Sequence, residues 1–89
     1  MPHPASHPRV EVFVLPSDPD SRSLTGWLDE QGIAYSTRDL SDPATSREAV
    51  ARTGMRIAPL TLVDGRVVWG TAAEQQRRLQ SLLWRDLQS

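Results

Sequence analysis

The chain has 89 residues, a formal net charge of −1 and neither cysteine nor lysine. The length suits one domain, and the small net charge gives no overall attraction to nucleic acid or to an anionic membrane. Without cysteine the chain cannot form a disulfide, a thiolate metal site or a thiol nucleophile. No apolar run reaches the roughly 18 residues of a membrane span. No signal peptide is recognisable, so we expect a cytoplasmic location.

Residues 1–8 contain three prolines and both histidines of the chain. This composition predicts a disordered tail, followed by a folded domain over residues 9–87. His3 and His7 are potential ligands of a transition metal, but two imidazoles without fixed geometry make a poor site. We therefore predict no metal centre.

The first strand is predicted over Arg9 to Leu15. Side chains alternate along a strand, so Val10, Val12 and Val14 share one face and Phe13 shares the other with Leu15. Apolar residues on both faces favour a central strand that helices cover on both sides.

The first helix is predicted to begin near Pro19 and to end at Gly32. Asp18 suits the N-cap, and proline is well tolerated at the first helical position, where its missing N–H costs nothing. Asp20 adds favourable negative charge to the first turn.

A second strand is predicted over Ile33 to Leu40, where charged residues indicate the edge of a sheet. A second helix is predicted from about Ala44 to Thr53, with Ala49 and Val50 facing inward.

The third strand is predicted over Leu60 to Val63 and the fourth over Arg66 to Trp69. The Asp-Gly pair between them is typical of a type I′ hairpin turn. Thr71 and Glu74 have the spacing of a capping box, which predicts a third helix that extends to about Asp86. The complete pattern is βαβαββα.

This pattern resembles the glutaredoxins of the thioredoxin-like superfamily over about Val10 to Leu83. Four segments carry the resemblance: the strand and turn from Val12 to Ser21, the helix end and strand from Leu28 to Tyr35, Ile57-Ala58-Pro59-Leu60, and Asp64-Gly65 followed by Gly70. The first is similar to the segment that leads into the family's Cys-Pro-Tyr-Cys site, and the second to its Gly-Ile-x-Tyr segment. The third is similar to its Thr-Val-Pro segment, and the fourth to its Asp-Gly hairpin with a later glycine.

The resemblance implies an α/β fold with a four-stranded mixed sheet of order 2-1-3-4. Strand one would be parallel to strand two and antiparallel to strand three, with two helices on one face of the sheet and one on the other. It also implies a cis Ala58–Pro59 bond.

The departures from the family pattern govern the expected function. Asp18, Pro19, Asp20 and Ser21 occupy the Cys-x-x-Cys position, with Asp18 at the nucleophilic cysteine and Ser21 at the resolving one. We therefore expect no thiol-disulfide oxidoreductase activity. Where the family often has an aspartate that meets the amino group of glutathione, this chain has small or neutral residues: Thr71, Ala72 and Ala73.

Other chemistry at the turn is less well supported than helix capping. An acid–base pair of Asp18 and Asp20 would need one raised pKa, which nothing in the sequence indicates. The two carboxylates with Ser21 lack a Ca²⁺ loop pattern, and Ser21 lacks a histidine base in the folded body.

The resemblance also suggests a ligand groove, lined by Arg56, Ala58, Pro59, Trp69, Gly70 and Thr71. Arg52 and Arg56 occupy a region where the family has a basic residue for a ligand carboxylate, although solvated surface arginines explain both. We predict a redox-inactive module that binds a protein or a peptide, without a cofactor. The alternative is glutathione binding, with an oxidoreductase or transferase type of activity that uses no protein thiol. Homodimerisation through Trp84 is a third possibility.

Overall fold

The structure is a computed structural model that describes residues 9–83. The predicted tail with His3 and His7 lies outside the described residues. So do Trp84, the proposed dimer contact, and the end of the predicted domain.

The order of elements is βαβαββα, as the sequence predicts. The elements are β1 (Val10–Val14), α1 (Pro19–Glu30), β2 (Ser36–Asp39), α2 (Pro43–Thr53), β3 (Leu60–Val63), β4 (Arg66–Trp69) and α3 (Ala72–Leu82).

The four strands form one mixed sheet in the order β2-β1-β3-β4. Strand β1 pairs in parallel with β2 and antiparallel with β3, and β3 pairs antiparallel with β4. This arrangement confirms the topology that the resemblance implies. The central position of β1 agrees with its apolar residues on both faces.

The two faces of the sheet bury separate apolar clusters. The cluster on the α1 and α3 side contains Val10, Val12, Leu24, Leu28, Val63, Val68, Ala72, Leu79 and Leu83. The cluster on the α2 side contains Phe13, Leu40, Ala49, Leu60 and Leu62. Two helices therefore cover one face and one helix covers the other, as expected.

Local sequence signals set several boundaries of these elements. Asp42 caps α2 and accepts a hydrogen bond from the N–H of Ala44 at 3.1 Å. Gly54 ends α2 with a φ of 77°, a left-handed conformation that glycine adopts without strain. Both residues of the β3–β4 turn have positive φ, at 51° and 83°, as a type I′ turn requires.

Strand β2 begins at Ser36, so the predicted start at Ile33 is wrong. The intervening residues pack against α1 instead. The N–H of Ile33 donates to the carbonyl of Leu28 at 3.0 Å, and the Tyr35 hydroxyl donates to the Asp29 carboxylate at 2.9 Å.

Three further details differ from the sequence predictions. Strand β1 ends at Val14, and Leu15 is exposed. Helix α3 ends at Leu82 with Leu83 as its C-cap, and the rest of the predicted extension to Asp86 lies outside the described residues. Val50 is 43% exposed rather than inward-facing, because the buried face of α2 follows the helical spacing of Thr45, Ser46 and Ala49.

An alternating charge network connects the α2 side of the sheet to α2. Arg52 binds Glu11 of β1 at 2.6 Å and Glu48 at 3.1 Å, and Glu48 also pairs with Arg38 of β2. Both guanidinium groups lie about 6 Å from the ring of Phe13, within the range of a cation–π contact. The hydrogen bond from Arg52 lowers the pKa of Glu11, and the bond from Arg38 lowers that of Glu48.

We predict that Glu11→Gln destabilises the fold by about 1 kcal/mol at neutral pH, the upper end for a partly solvated ion pair. The pKa of Glu11 is lower in the folded state than in the unfolded state. The contribution of Glu11 to the unfolding free energy is therefore fully present above the unfolded-state pKa, and it is lost as the pH falls through the folded-state pKa. The difference in unfolding free energy between wild type and variant should therefore vanish in acid, as measured by urea denaturation across pH. Glu30→Gln, at an exposed position, is the matched control; an equal effect of both changes would contradict the prediction.

Candidate functional site

The turn between β1 and α1 is closed by a hydrogen-bonded pair, Asp18 and Ser21. The Asp18 carboxylate accepts from both the N–H and the hydroxyl of Ser21, each at 2.9 Å. The Ser21 hydroxyl oxygen accepts from the N–H of Leu15 at 3.2 Å, and the N–H of Asp18 donates to the carbonyl of Leu15 at 2.9 Å. The two residues predicted at the Cys-x-x-Cys positions are therefore in direct contact.

This geometry makes the turn a helix cap rather than a reactive centre. Ser21 is 2% exposed, and its hydroxyl both donates and accepts within the turn. No histidine lies within residues 9–83 to act as its base. Pro19 occupies the first helical position, and Asp20 lies in the first turn, where its charge is favourable.

The second part of the site is the loop that enters β3. The Ala58–Pro59 peptide bond is cis. Pro59 is buried, whereas Ala58 is half-buried and Arg56 is exposed. The backbone of Ala58 makes no hydrogen bond to another residue in the described part of the chain.

A buried glutamine that the sequence analysis missed connects the two sides of this site. Gln75 of α3 has no exposed surface. Its amide N–H groups donate to the carbonyls of Pro59 at 2.8 Å and Gly70 at 3.1 Å, and its carbonyl accepts from the Thr61 hydroxyl at 2.7 Å. The only signal in the sequence is one amide on the helix face that also carries Ala72 and Leu79.

The start of α3 carries the capping box that the sequence predicts. The Glu74 carboxylate accepts from the N–H of Thr71 at 2.8 Å, and the Thr71 hydroxyl accepts from the N–H of Glu74 at 3.1 Å. The bond from the Thr71 N–H lowers the pKa of Glu74. Gly70 has a φ of 120°, which favours glycine, and a Cβ at this position would lie 2.7 Å from the Glu74 carboxylate oxygen. Because the Thr71 N–H already donates to Glu74, it is not available to a ligand in this conformation.

Not all of the predicted groove residues are in direct contact. Gln75 joins Pro59 to Gly70, and Trp69 pairs with Leu60, the residue after Pro59. The Trp69 side chain is 59% exposed. Arg52, in contrast, is engaged with Glu11 and Glu48.

The described residues offer neither a metal centre nor a membrane-spanning helix. Residues 9–83 contain no group of three histidine, aspartate or glutamate side chains placed to hold a metal ion. Within the same range, every helix is too short or too polar to span a membrane.

We predict that Gln75→Leu destabilises the fold by about 2–3 kcal/mol, because it leaves the Thr61 hydroxyl and two carbonyls without their partner. Chemical denaturation measures the loss, and Gln76→Leu on the same helix is the matched control. Adding Thr61→Val to Gln75→Leu should recover part of the stability, since it removes the unpaired hydroxyl. A Gln75→Leu variant as stable as its control would contradict this role.

The fold is similar to that of several solved structures. The thioredoxin-like protein BC3987 is 28% identical, with a TM-score of 0.73, over 83% of this chain and 99% of that one. The holo form of glutaredoxin C1 from Populus tremula x tremuloides is 26% identical, with a TM-score of 0.67, over 93% of this chain and 88% of that one. A buckwheat glutaredoxin–glutathione complex shares the fold at 17% identity, with a TM-score of 0.68, over 90% and 76% of the two chains. No protein-family model and no curated protein sequence matches the chain.

Proposed function

We propose that this chain, a glutaredoxin-like protein of the thioredoxin-like fold that contains no cysteine, is a redox-inactive module that binds an extended segment of a protein or peptide beside Ala58. The observation that carries the proposal is the backbone of Ala58. Its N–H and C=O make no hydrogen bond within the described part of the chain, although Gln75 holds the carbonyls of the adjacent Pro59 and of Gly70. An extended segment can pair with such groups as an added strand does.

The buried amide of Gln75 supports this proposal. It fixes the carbonyls of Pro59 and Gly70 in the folded protein itself. A groove that is shaped before binding loses less conformational entropy when a partner arrives. Arg56, three residues before Pro59 on the same loop, is exposed and carries a positive charge.

The chemistry of the turn supports the absence of redox activity. A dithiol mechanism needs thiolates, and the chain has no cysteine. The side chains at the corresponding positions, Asp18 and Ser21, satisfy each other by hydrogen bonding. The turn consequently stabilises a helix start and offers no nucleophile.

The alternative function is glutathione binding, with chemistry that does not use a protein thiol. The similarity to the buckwheat glutaredoxin, solved as a glutathione complex, favours it. Two features oppose it. The Asp18 carboxylate at the turn repels the carboxylates of glutathione, and the N–H of Thr71 is held by Glu74.

We expect that glutathione does not bind, because these acidic groups stand where an anionic ligand would need donors. Isothermal titration with millimolar reduced glutathione should give no heat beyond dilution, and amide resonances around Ala58 and Thr71 should not move. Saturable shifts at those amides would favour the alternative function over the proposed one.

The proposal itself is tested by selecting phage-displayed random peptides on the purified chain. We expect enriched peptides that shift the amide resonance of Ala58 on binding. Arg56→Glu should weaken the selected peptides about fivefold or more, because it reverses the charge at the groove margin. Arg47→Glu, at an exposed position of α2, is the matched control and should leave affinity nearly unchanged. Failure to enrich any peptide, or equal loss in both variants, would contradict the proposal.

A further inference from the structure

Strand β4 forms an edge of the sheet with unpaired backbone groups. It pairs with β3 and with no other strand among the described residues. The type I′ turn makes Val63 and Arg66 a hydrogen-bonded pair, and such pairs alternate with non-hydrogen-bonded ones along an antiparallel ladder. The N–H and C=O groups of Val67 and Trp69 therefore point away from β3, along the free edge.

One face of this edge is apolar. Val67 and Trp69 lie on the same face of the sheet, because they are two residues apart. Val67 is half-buried against the cluster on the α2 side, whereas the Trp69 side chain is 59% exposed. An exposed tryptophan beside unpaired backbone groups offers a large apolar contact to an added strand.

The other face of the edge is positively charged. Arg66 alternates to the side of α3. A surface pocket of about 250 Å³, lined by Arg78 and Glu74 of α3 and by Val68, extends across the edge of β4 to Val67 and Trp69. Arg77 is exposed on the same helix. Among the described residues, Arg66, Arg77 and Arg78 are exposed, and the Glu74 carboxylate that lines the pocket is already held in the capping box at the start of α3.

We propose that the β4 edge binds an extended peptide strand of a partner protein in which apolar residues alternate with acidic ones. The backbone of the peptide pairs with Val67 and Trp69, its apolar side chains contact the indole of Trp69, and its carboxylates face Arg66 and Arg78. This surface shares Trp69 with the predicted groove, but it uses the outer backbone edge of β4 rather than the backbone of Ala58 and does not depend on binding at Ala58.

Charge favours such a peptide over a second copy of this chain. A two-fold pairing of β4 with β4 would bring Arg66 and Arg78 of both copies to one face, where like charges oppose association. An acidic peptide neutralises the same arginines.

The opposite edge of the sheet lacks this combination. Strand β2 presents Ser36, Thr37 and Asp39, which are polar and exposed, and Arg38 is paired with Glu48. The alternation of apolar and positive surfaces is therefore found at β4 and not at β2.

The probe for this proposal is a short, fluorescein-labelled synthetic peptide that alternates valine and glutamate, with blocked ends. Fluorescence anisotropy measures its affinity for the full chain, and amide and indole resonances map its position. We expect saturable binding with shifts at Val67 and Trp69. A valine–lysine peptide should bind at least about tenfold more weakly, because it places cations against Arg66 and Arg78.

Two changes separate strand pairing from adhesion by charge alone. Val67→Pro removes an N–H that no other strand uses and is compatible with an edge strand, so the fold should persist while affinity falls about tenfold or more. Arg78→Gln should weaken binding about threefold, whereas Arg47→Gln on α2 should not. A valine–glutamate peptide with N-methylated backbone groups cannot donate the hydrogen bonds of strand pairing, so it should not bind the unmodified protein. This measurement tests strand pairing even if the Val67→Pro variant does not fold.

The proposal is overturned if the valine–glutamate peptide does not bind, if its N-methylated form binds equally well, or if the shifts lie at Ala58 and respond to Arg56→Glu. It is also overturned if sedimentation velocity shows that the chain pairs with itself through Val67. Peptide binding at β4 with no ligand at Ala58 would support this inference and contradict the proposed groove. Peptide binding at Ala58 with none at β4 would support the groove and overturn this inference.

Discussion

The buried amide of Gln75 is the interaction on which the shape of the candidate binding surface depends. It satisfies the carbonyl of Pro59 before β3, the carbonyl of Gly70 after β4 and the hydroxyl of Thr61 within β3. Because the amide is fully buried, each lost bond would leave a polar group without water to replace the partner. A single side chain of α3 thus holds two loops at a fixed separation, independently of any ligand.

At two helix starts near this surface, a carboxylate of the same chain accepts a hydrogen bond from a backbone N–H. The Asp18 carboxylate satisfies the first turn of α1, and the Glu74 carboxylate satisfies the N–H of Thr71 at the start of α3. Free helix starts attract anions through their unpaired N–H groups and the helix dipole. Here an internal carboxylate already accepts a hydrogen bond from one backbone N–H at each of these helix starts.

The sequence predicts those features that are encoded locally. The apolar residues on both faces of β1, the hairpin turn and the capping box at Thr71 each depend on a few neighbouring residues, and the structure contains all three. Gln75 could not be predicted, because its partners lie on other elements and an isolated amide also suits a solvated position. The pairing of Arg52 with Glu11 joins residues 41 positions apart, so it becomes visible only once α2 is packed on β1.

The contact between Asp18 and Ser21 has a consequence for the conditions under which this protein keeps its shape. In a dithiol turn the bond between the two positions exists in one oxidation state and not in the other. Here the corresponding link consists of two hydrogen bonds at 2.9 Å, in which the Asp18 carboxylate accepts from the N–H and from the hydroxyl of Ser21. Reductants and mild oxidants neither form nor break such a link, so the conformation of the turn is the same in reducing and in oxidising surroundings.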